Sequence, residues 1–329
     1  MRRLAIIGGG AWGTALAMVA CRAGVLSVVW ARDPDVVASI NHEHENPPFL
    51  PGVSLDPAIS ATADIEAAVG GADAALLAVP AQFLRGVLHL LRDPLPRGLP
   101  LLHCAKGIEA DSLKTVSEVA TEVLPDSPFA VLSGPTFAAE VAHDLPTAVT
   151  IASGDACLGR AFIAALGNSR FRPYLSEDPI GVEIGGAAKN VIAIACGIVM
   201  GRALGDNARA AVIARGLVEI TRLGIAKGGH DETFRGLSGL GDLVLTCTSA
   251  QSRNYTLGLA LGRGRSCDTS AYGGRSVIEG VATASAVVRL AERLGIEVPI
   301  AEAVDALLHR GRSIDGMIDM LLRRPFRTE

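Results

Sequence analysis

The sequence predicts an α/β N-terminal domain built on a largely parallel sheet, followed by an all-α C-terminal domain. Three observations carry that expectation. A short apolar run, Leu4–Ile7, leads into Gly8-Gly-Gly-Ala-Trp-Gly13 and then into an apolar helical stretch. Short β-branched runs alternate with helical patterns as far as about residue 178, the rhythm of βαβ units. Beyond that point strand signals stop and only helical periodicity continues.

Taken in order, Leu4–Ile7 is the first strand and Ala11–Ala23 the first helix, ended by Gly24. Leu26–Trp30 is the second strand. Asp33 reads as an N-cap with Pro34 at the first helical position, where a missing N–H costs nothing. Further strands are expected at Ile59–Thr62, Ala74–Val79, Leu101–Cys104, Ala130–Leu132 and Ala148–Ala152. In the second half, helices are expected over Val182–Leu204, Asn207–Lys227, Val281–Gly295, Ala301–His309 and Ile314–Leu322. The boundary falls near Ser176–Pro179, giving domains 1–178 and 179–329 with a ligand cleft between them.

With 329 residues, 49% of them apolar and 19% charged, the chain can bury two cores and is not of disordered composition. A net charge of −4 with no block of like charges points away from nucleic acid and membrane surfaces. The longest purely apolar run, Val191–Met200, is shorter than the ~20 residues that cross a bilayer, so no integral membrane segment is expected. Arg2-Arg3 ahead of an apolar run imitates a secretion signal. The glycines interrupt that run where a signal helix is continuous, and cleavage there would delete Gly8, Gly10 and Gly13. The six cysteines, Cys21, Cys104, Cys157, Cys196, Cys247 and Cys267, form no C-x-x-C pair and sit mostly in apolar runs. A cytoplasmic location follows. The seven histidines are scattered, and His42-Glu-His44 has no second ligand pair, so no metal is expected.

Gly8-x-Gly10-x-x-Gly13 between a strand and a helix is a dinucleotide fingerprint, which makes the first domain Rossmann-like. Gly8 permits the tight turn, Gly10 lets backbone approach pyrophosphate, and Gly13 lets helix and strand pack closely. The helix N-terminus supplies free N–H groups to the phosphates. At the end of the second strand, where an acid would bind a ribose hydroxyl, stands Arg32, whose permanent charge suits a 2′-phosphate. NADPH/NADP is therefore expected, with NADH/NAD left open by Asp33. Trp12 is either a flat wall beside the cofactor or a domain-packing residue. Lys106, in Cys104-Ala-Lys-Gly107, should emerge at the carboxyl edge of the sheet, placed to polarise a carbonyl or bind phosphate. In Ser133-Gly-Pro-Thr136-Phe-Ala138, Gly134 and Thr136 offer backbone and a hydroxyl, unless this is an ordinary turn.

The helical half supplies Lys189–Asn190 inside Gly185-Gly-Ala-Ala-Lys-Asn-Val-Ile-Ala-Ile-Ala. A cation in so apolar a segment loses hydration, and a partner must compensate it. Reducing a ketone needs a hydride on carbon and a proton on oxygen. A lysine of ordinary pKa is protonated at pH 7 and can give that proton. Reduction should then run well at neutral pH and alcohol oxidation better at alkaline pH. The plain alternative is a lysine snorkelling from a helix end. Asp242, in Gly239-Leu-Gly-Asp, can orient Lys189, bind a substrate hydroxyl or cap a helix. Ser252-Arg253-Asn254 offers a hydroxyl, a bidentate fork and an amide, a set suited to a phosphate dianion, or else an exposed capping segment. Glu279 can bond a cofactor or cap its helix.

These residues resemble the bacterial NAD(P)-dependent sn-glycerol-3-phosphate dehydrogenases over almost the whole chain. The resemblance rests on Gly8–Ala15, Trp30-Ala-Arg32, Phe49-Leu-Pro-Gly52, Ala105-Lys-Gly107 and Ser133–Glu140. In the second half it rests on Lys189–Ala195, Arg215-Gly-Leu, Gly239–Cys247, Ser252-Arg-Asn254 and Glu279-Gly280. It implies reduction of dihydroxyacetone phosphate to sn-glycerol 3-phosphate, a phospholipid precursor, with Lys189 as proton donor or acceptor. It implies substrate contacts from Lys106, Gly134, Thr136, Lys189, Asp242, Ser252, Arg253 and Asn254. The cofactor contacts it implies are Trp12, Arg32, Lys106, Ala138, Arg253, Val277 and Glu279. Departures from the family pattern are Val199-Met-Gly-Arg202 in place of an Asp-Gly pair, Ala214 in place of Thr, and Tyr255 in place of Arg.

Two other readings share these features. One is a hydroxy-acid dehydrogenase of the 6-phosphogluconate type, and the other is a non-catalytic NADPH sensor. A homodimer is a possible assembly.

Overall fold

The computed structural model describes residues 1–265 and 277–323; Cys267 lies outside the described residues. The first part carries β1 (Arg3–Ile7), α1 (Ala11–Arg22), β2 (Leu26–Trp30), α2 (Pro34–Ala38), β3 (Glu45–Asn46), β4 (Leu50–Ser54), β5 (Ser60–Thr62), α3 (Ile65–Val69), β6 (Ala74–Leu77) and α4 (Ala81–Leu91). There follow β7 (Leu101–His103), α5 (Val116–Val123), β8 (Phe129–Ser133), α6 (Ala138–Ala142), β9 (Thr147–Ala152), α7 (Ala156–Leu166) and β10 (Phe171–Ser176). The remainder is helical among the described residues: α8 (Pro179–Gly201), α9 (Asp206–Lys227), α10 (Asp231–Phe234), α11 (Asp242–Thr248), α12 (Arg253–Gly262), α13 (Glu279–Leu294), α14 (Pro299–His309) and α15 (Ile314–Leu322).

Eight strands form one sheet in the order β10-β9-β8-β7-β6-β1-β2-β5. From β5 to β8 every neighbouring pair is parallel. The sheet is largely parallel, as expected, but β9 runs antiparallel to β8, and β10 lies parallel to β9. The order reverses around β1, which sits between β2 and β6. Ligands of open α/β sheets bind at the carboxyl ends of the strands beside such a switch.

Several elements differ from the sequence expectation. β10 contains Pro173, which demotes a strand pattern, yet Pro is tolerated on an outer strand and β10 is the sheet edge. The β3–β4 pair is short, proline-rich and shifted in register between Glu45 and Asn46. α8 begins at Pro179, three residues before expectation, because Asp178 caps it by accepting from the Gly181 N–H at 2.8 Å.

α8 is the spine of the helical part and is buried nearly all round. By length and composition it could cross a bilayer, but 83% of its apolar stretch is buried within the protein, the mark of a core helix. Small residues let α12 approach it backbone to backbone. A Cβ on Gly197 would lie 2.1 Å from the Tyr255 carbonyl oxygen, and one on Gly258 would lie 2.0 Å from that of Ile194. That close approach seats the start of α12, with Arg253 and Asn254, beside the middle of α8, with Lys189 and Asn190.

Candidate active site

A cleft of about 880 Å³ lies along the carboxyl edge of the sheet, and its far wall is helical. The turn after β1 gives Gly8, Gly9, Gly10 and Trp12; the end of β2 gives Ala31 and Arg32. Pro80 and Phe83 follow β6, and Cys104, Ala105 and Lys106 follow β7. Thr136 and Ala138 come from the segment after β8. The helical side gives Lys189, Asn190, Thr246, Gln251, Ser252, Arg253, Asn254, Val277 and Glu279.

The glycine-rich end is shaped for a dinucleotide. Gly8 has φ +125°, and a Cβ there would lie 2.7 Å from the Ala78 carbonyl oxygen. A Cβ on Gly13 would stand 1.9 Å from the Gly8 carbonyl oxygen, whereas one on Gly10 meets nothing within 4 Å. Gly13 thus packs helix on turn, and Gly10 keeps the mouth open. α1 begins after Gly10 with no side-chain cap and no acidic residue in its first turn, so its positive end faces the cleft. Gly13→Ala is expected to destabilise the fold by about 1–3 kcal/mol or more, visible as a lowered Tm. Gly10→Ala is expected to melt near wild type in the same scan.

At the other end, two lysines share one carboxylate. Lys189 Nζ donates to Asp242 Oδ1 at 2.5 Å and to Thr246 Oγ1 at 2.7 Å. Lys106 Nζ donates to Asp242 Oδ2 at 2.7 Å, to the Gly134 carbonyl at 2.8 Å and to Thr136 Oγ1 at 3.4 Å. Asp242 is fully buried and Lys189 is 5% exposed. Asp242 is thus the partner that the apolar setting of Lys189 demanded, and it opens α11 rather than capping it. The lysine does not keep its ordinary pKa. Burial pushes it down to about 8, Asp242 opposing the shift and the Lys106 charge adding to it.

An amide chain fixes the spacing of the two lysines. Asn190 Nδ2 donates to the Lys106 carbonyl at 2.9 Å, and Asn254 Nδ2 donates to Asn190 Oδ1 at 3.0 Å. The Gly280 N–H closes the chain on Asn254 Oδ1 at 3.0 Å. Asn254 therefore spends much of its hydrogen bonding inside the protein while still lining the cleft. The Ser252 hydroxyl accepts from the Tyr255 N–H at 3.2 Å and caps α12. Arg253 Nη1 donates to the Val277 carbonyl at 2.9 Å, and its side chain remains exposed to the cleft. Glu279 opens α13 and accepts from the Ala81 N–H at 3.3 Å; burial raises its carboxyl to about 7. Trp12 both lines the cleft and packs on the sheet core.

Of the residues singled out from sequence, all but Gly13, Gly134 and Asp242 line the cleft. Asp242 stands behind Lys189, and Gly134 presents its carbonyl to Lys106. Sequence reasoning missed Thr246, Phe83 and the bridging role of Asn190. Phe83 read as an ordinary apolar residue, and nothing in the local pattern marked Thr246 as a lysine partner.

Known proteins resemble this chain over nearly its whole length. The family model for the N-terminal part of NAD-dependent glycerol-3-phosphate dehydrogenase matches residues 3–158, and that for its C-terminal part matches residues 178–319. The chain belongs to the NAD-dependent glycerol-3-phosphate dehydrogenase family. It is 58% identical over 326 residues to a glycerol-3-phosphate dehydrogenase (NAD(P)+) of Rhodospirillum rubrum, covering 99% of this chain and 93% of that one. The corresponding protein of Caulobacter vibrioides is 52% identical, with 99% and 98% covered. The crystal structure of glycerol-3-phosphate dehydrogenase from Coxiella burnetii superposes with a TM-score of 0.94 at 39% identity, covering 98% of this chain and 99% of that one. This chain's departures from the glycerol-3-phosphate dehydrogenase pattern lie off the cleft. Gly201, in the last turn of α8, packs on Gly262 of α12; Tyr255 is buried; Ala214 is exposed on α9.

Proposed function

We propose that this chain catalyses the reversible NAD(P)H-dependent reduction of dihydroxyacetone phosphate to sn-glycerol 3-phosphate, with Lys189 as the proton donor and acceptor. The observation that carries the reading is the pair of lysines sharing Asp242 in the same cleft as an open glycine turn. Gly8, Gly10 and the start of α1 would hold the pyrophosphate, with Trp12, Ala138, Val277 and Glu279 along the rest of the dinucleotide. Arg32, exposed at the cleft rim, suits the 2′-phosphate of NADPH. When bound, the nicotinamide supplies the hydride.

The chain's own residues supply the proton and the orientation. Lys189 holds a proton on Nζ, fixed by Asp242 and Thr246, and gives it to the ketone oxygen as negative charge grows there. Lys106 places a second positive charge on the same side. The Arg253 fork, with Ser252 and Asn254 beside it, would take the substrate phosphate, and Thr136 and the Gly134 backbone would complete the contacts. In this proposal residues 1–178 hold most of the cofactor, and 179–329 bring the acid and complete the cofactor contacts through Val277 and Glu279. The five cysteines among the described residues are free thiols, which suits a cytosolic enzyme feeding phospholipid synthesis.

The pKa of Lys189 sets a pH signature. Below about 8 the amine is protonated and reduction is supported; above it the amine is neutral and accepts the proton released in oxidation. The kcat for reduction is expected to fall, and that for glycerol 3-phosphate oxidation to rise, through the same pH region. Initial rates in both directions between neutrality and pH 10 check this, and oxidation that peaks below neutrality contradicts it.

The reading is tested by following NADPH absorbance with dihydroxyacetone phosphate, alongside NADP+ with 6-phosphogluconate. Turnover of the triose phosphate is expected. Turnover of 6-phosphogluconate instead, or NADPH binding with turnover of neither, overturns the assignment.

A further inference from the structure

The β3–β4 hairpin reaches back to the glycine turn through one buried amide. Asn46 has no exposed surface. Its Nδ2 donates to the Gly9 carbonyl at 3.0 Å and to Thr14 Oγ1, itself fully buried on α1, at 2.7 Å. A single side chain therefore ties the middle of the glycine turn to the first turn of the helix that follows. The Asn46 carbonyl also accepts from the Phe49 N–H at 3.1 Å, which holds the hairpin turn whose Phe49, Leu50 and Pro51 line the cleft.

The tie controls a donor on the opposite side of the turn. The peptide between Gly9 and Gly10 is trans and planar, so its C=O and N–H point in opposite directions. With the Gly9 carbonyl held toward the hairpin, the Gly10 N–H is turned away from it, and Gly10 lines the cleft with open space where a side chain would stand. A turn of three consecutive glycines has many other conformations to visit, and holding one of them before the ligand arrives lowers the entropic cost of binding. Thr14 adds direction, because an amide anchored at two acceptors cannot rotate away from the first.

We infer that Asn46 is a positioning residue for the dinucleotide: it holds the Gly9–Gly10 peptide so that the Gly10 N–H faces the pyrophosphate, and it acts on cofactor affinity rather than on proton transfer. The inference rests on the cofactor reading above and adds to it a residue outside the cleft wall.

The test compares wild type, Asn46→Asp and Thr14→Val by NADPH fluorescence titration, thermal melting and steady-state kinetics. An aspartate keeps the size but has no N–H for Gly9. In Asn46→Asp the Kd for NADPH is expected to rise roughly tenfold or more, the scale of a lost buried hydrogen bond. The KM for NADPH should rise with it, and kcat at saturating NADPH should fall far less. Thr14→Val keeps the Gly9 bond and loses the second anchor, so a smaller rise of roughly 2- to 5-fold is expected. An Asn46→Asp protein with NADPH affinity within about twofold of wild type, whatever its Tm, overturns the inference. So does a loss confined to kcat. Should Asn46→Asp not fold, an unchanged Kd in Thr14→Val overturns it equally. A wild-type protein that binds no NADPH would count against the cofactor reading itself.

Discussion

Replacing Lys189 by Met is expected to slow reduction of dihydroxyacetone phosphate by roughly 10²–10⁴-fold, the usual worth of a positioned general acid. The substitution suits the site. Met matches the length of the lysine stem in a setting of Gly185, Gly186, Ala187 and Ala188, and it removes a charge whose burial is costly. Asp242 keeps a partner, because Lys106 still reaches Oδ2 at 2.7 Å. The fold and NADPH binding should therefore persist while chemistry fails. The measurement is kcat at saturation in both substrates, with the NADPH Kd from titration and the Tm from melting. A rate within a few-fold of wild type would leave the proton transfer to some other group.

Asp242→Asn should act on stability and on pH together. The carboxylate neutralises two ammonium groups, one of them 5% exposed, and the amide that replaces it has nearly the same shape and no charge. Removing one partner of a buried ion pair costs about 3–5 kcal/mol. Part of that cost is avoided if Lys189 sheds its proton, and the sign of the response is fixed. Asp242 raises the Lys189 pKa against the pull of burial, so its loss moves that pKa below about 8. The protonated acid then disappears at lower pH, and the alkaline limb of the reduction profile shifts toward neutrality. Melting curves give the first effect and pH–rate profiles of kcat the second. A limb that stays in place or moves upward would show that Asp242 does not govern the lysine.

The contrast between Gly13 and Asn46 shows how much of the site local pattern can carry. Gly13 belongs to a fingerprint in which each glycine has a steric reason, and the 1.9 Å approach of its missing Cβ to the Gly8 carbonyl oxygen is that reason made visible. Asn46 lies in Asn41-His-Glu-His-Glu-Asn-Pro-Pro, which reads as a solvated loop, and only folding sets its amide against Gly9, 37 positions earlier in the chain. β10 stayed hidden for a related reason, since Pro173 argues against a strand unless the edge position is known.

Periodicity, caps and glycine spacing were enough to specify an α/β half with a dinucleotide turn, a helical half, and a lysine that needed a counter-charge. These features depend on residues a few positions apart, whose sterics and solvation act within one element. Which carboxylate answers Lys189, that Lys106 shares it, that Thr246 completes the lysine's bonding and that its pKa drops to about 8 were settled by packing. Those properties come from groups brought together across 53 and 136 positions of sequence. Desolvation and Coulomb energy depend on distance and burial in space, which no local pattern records.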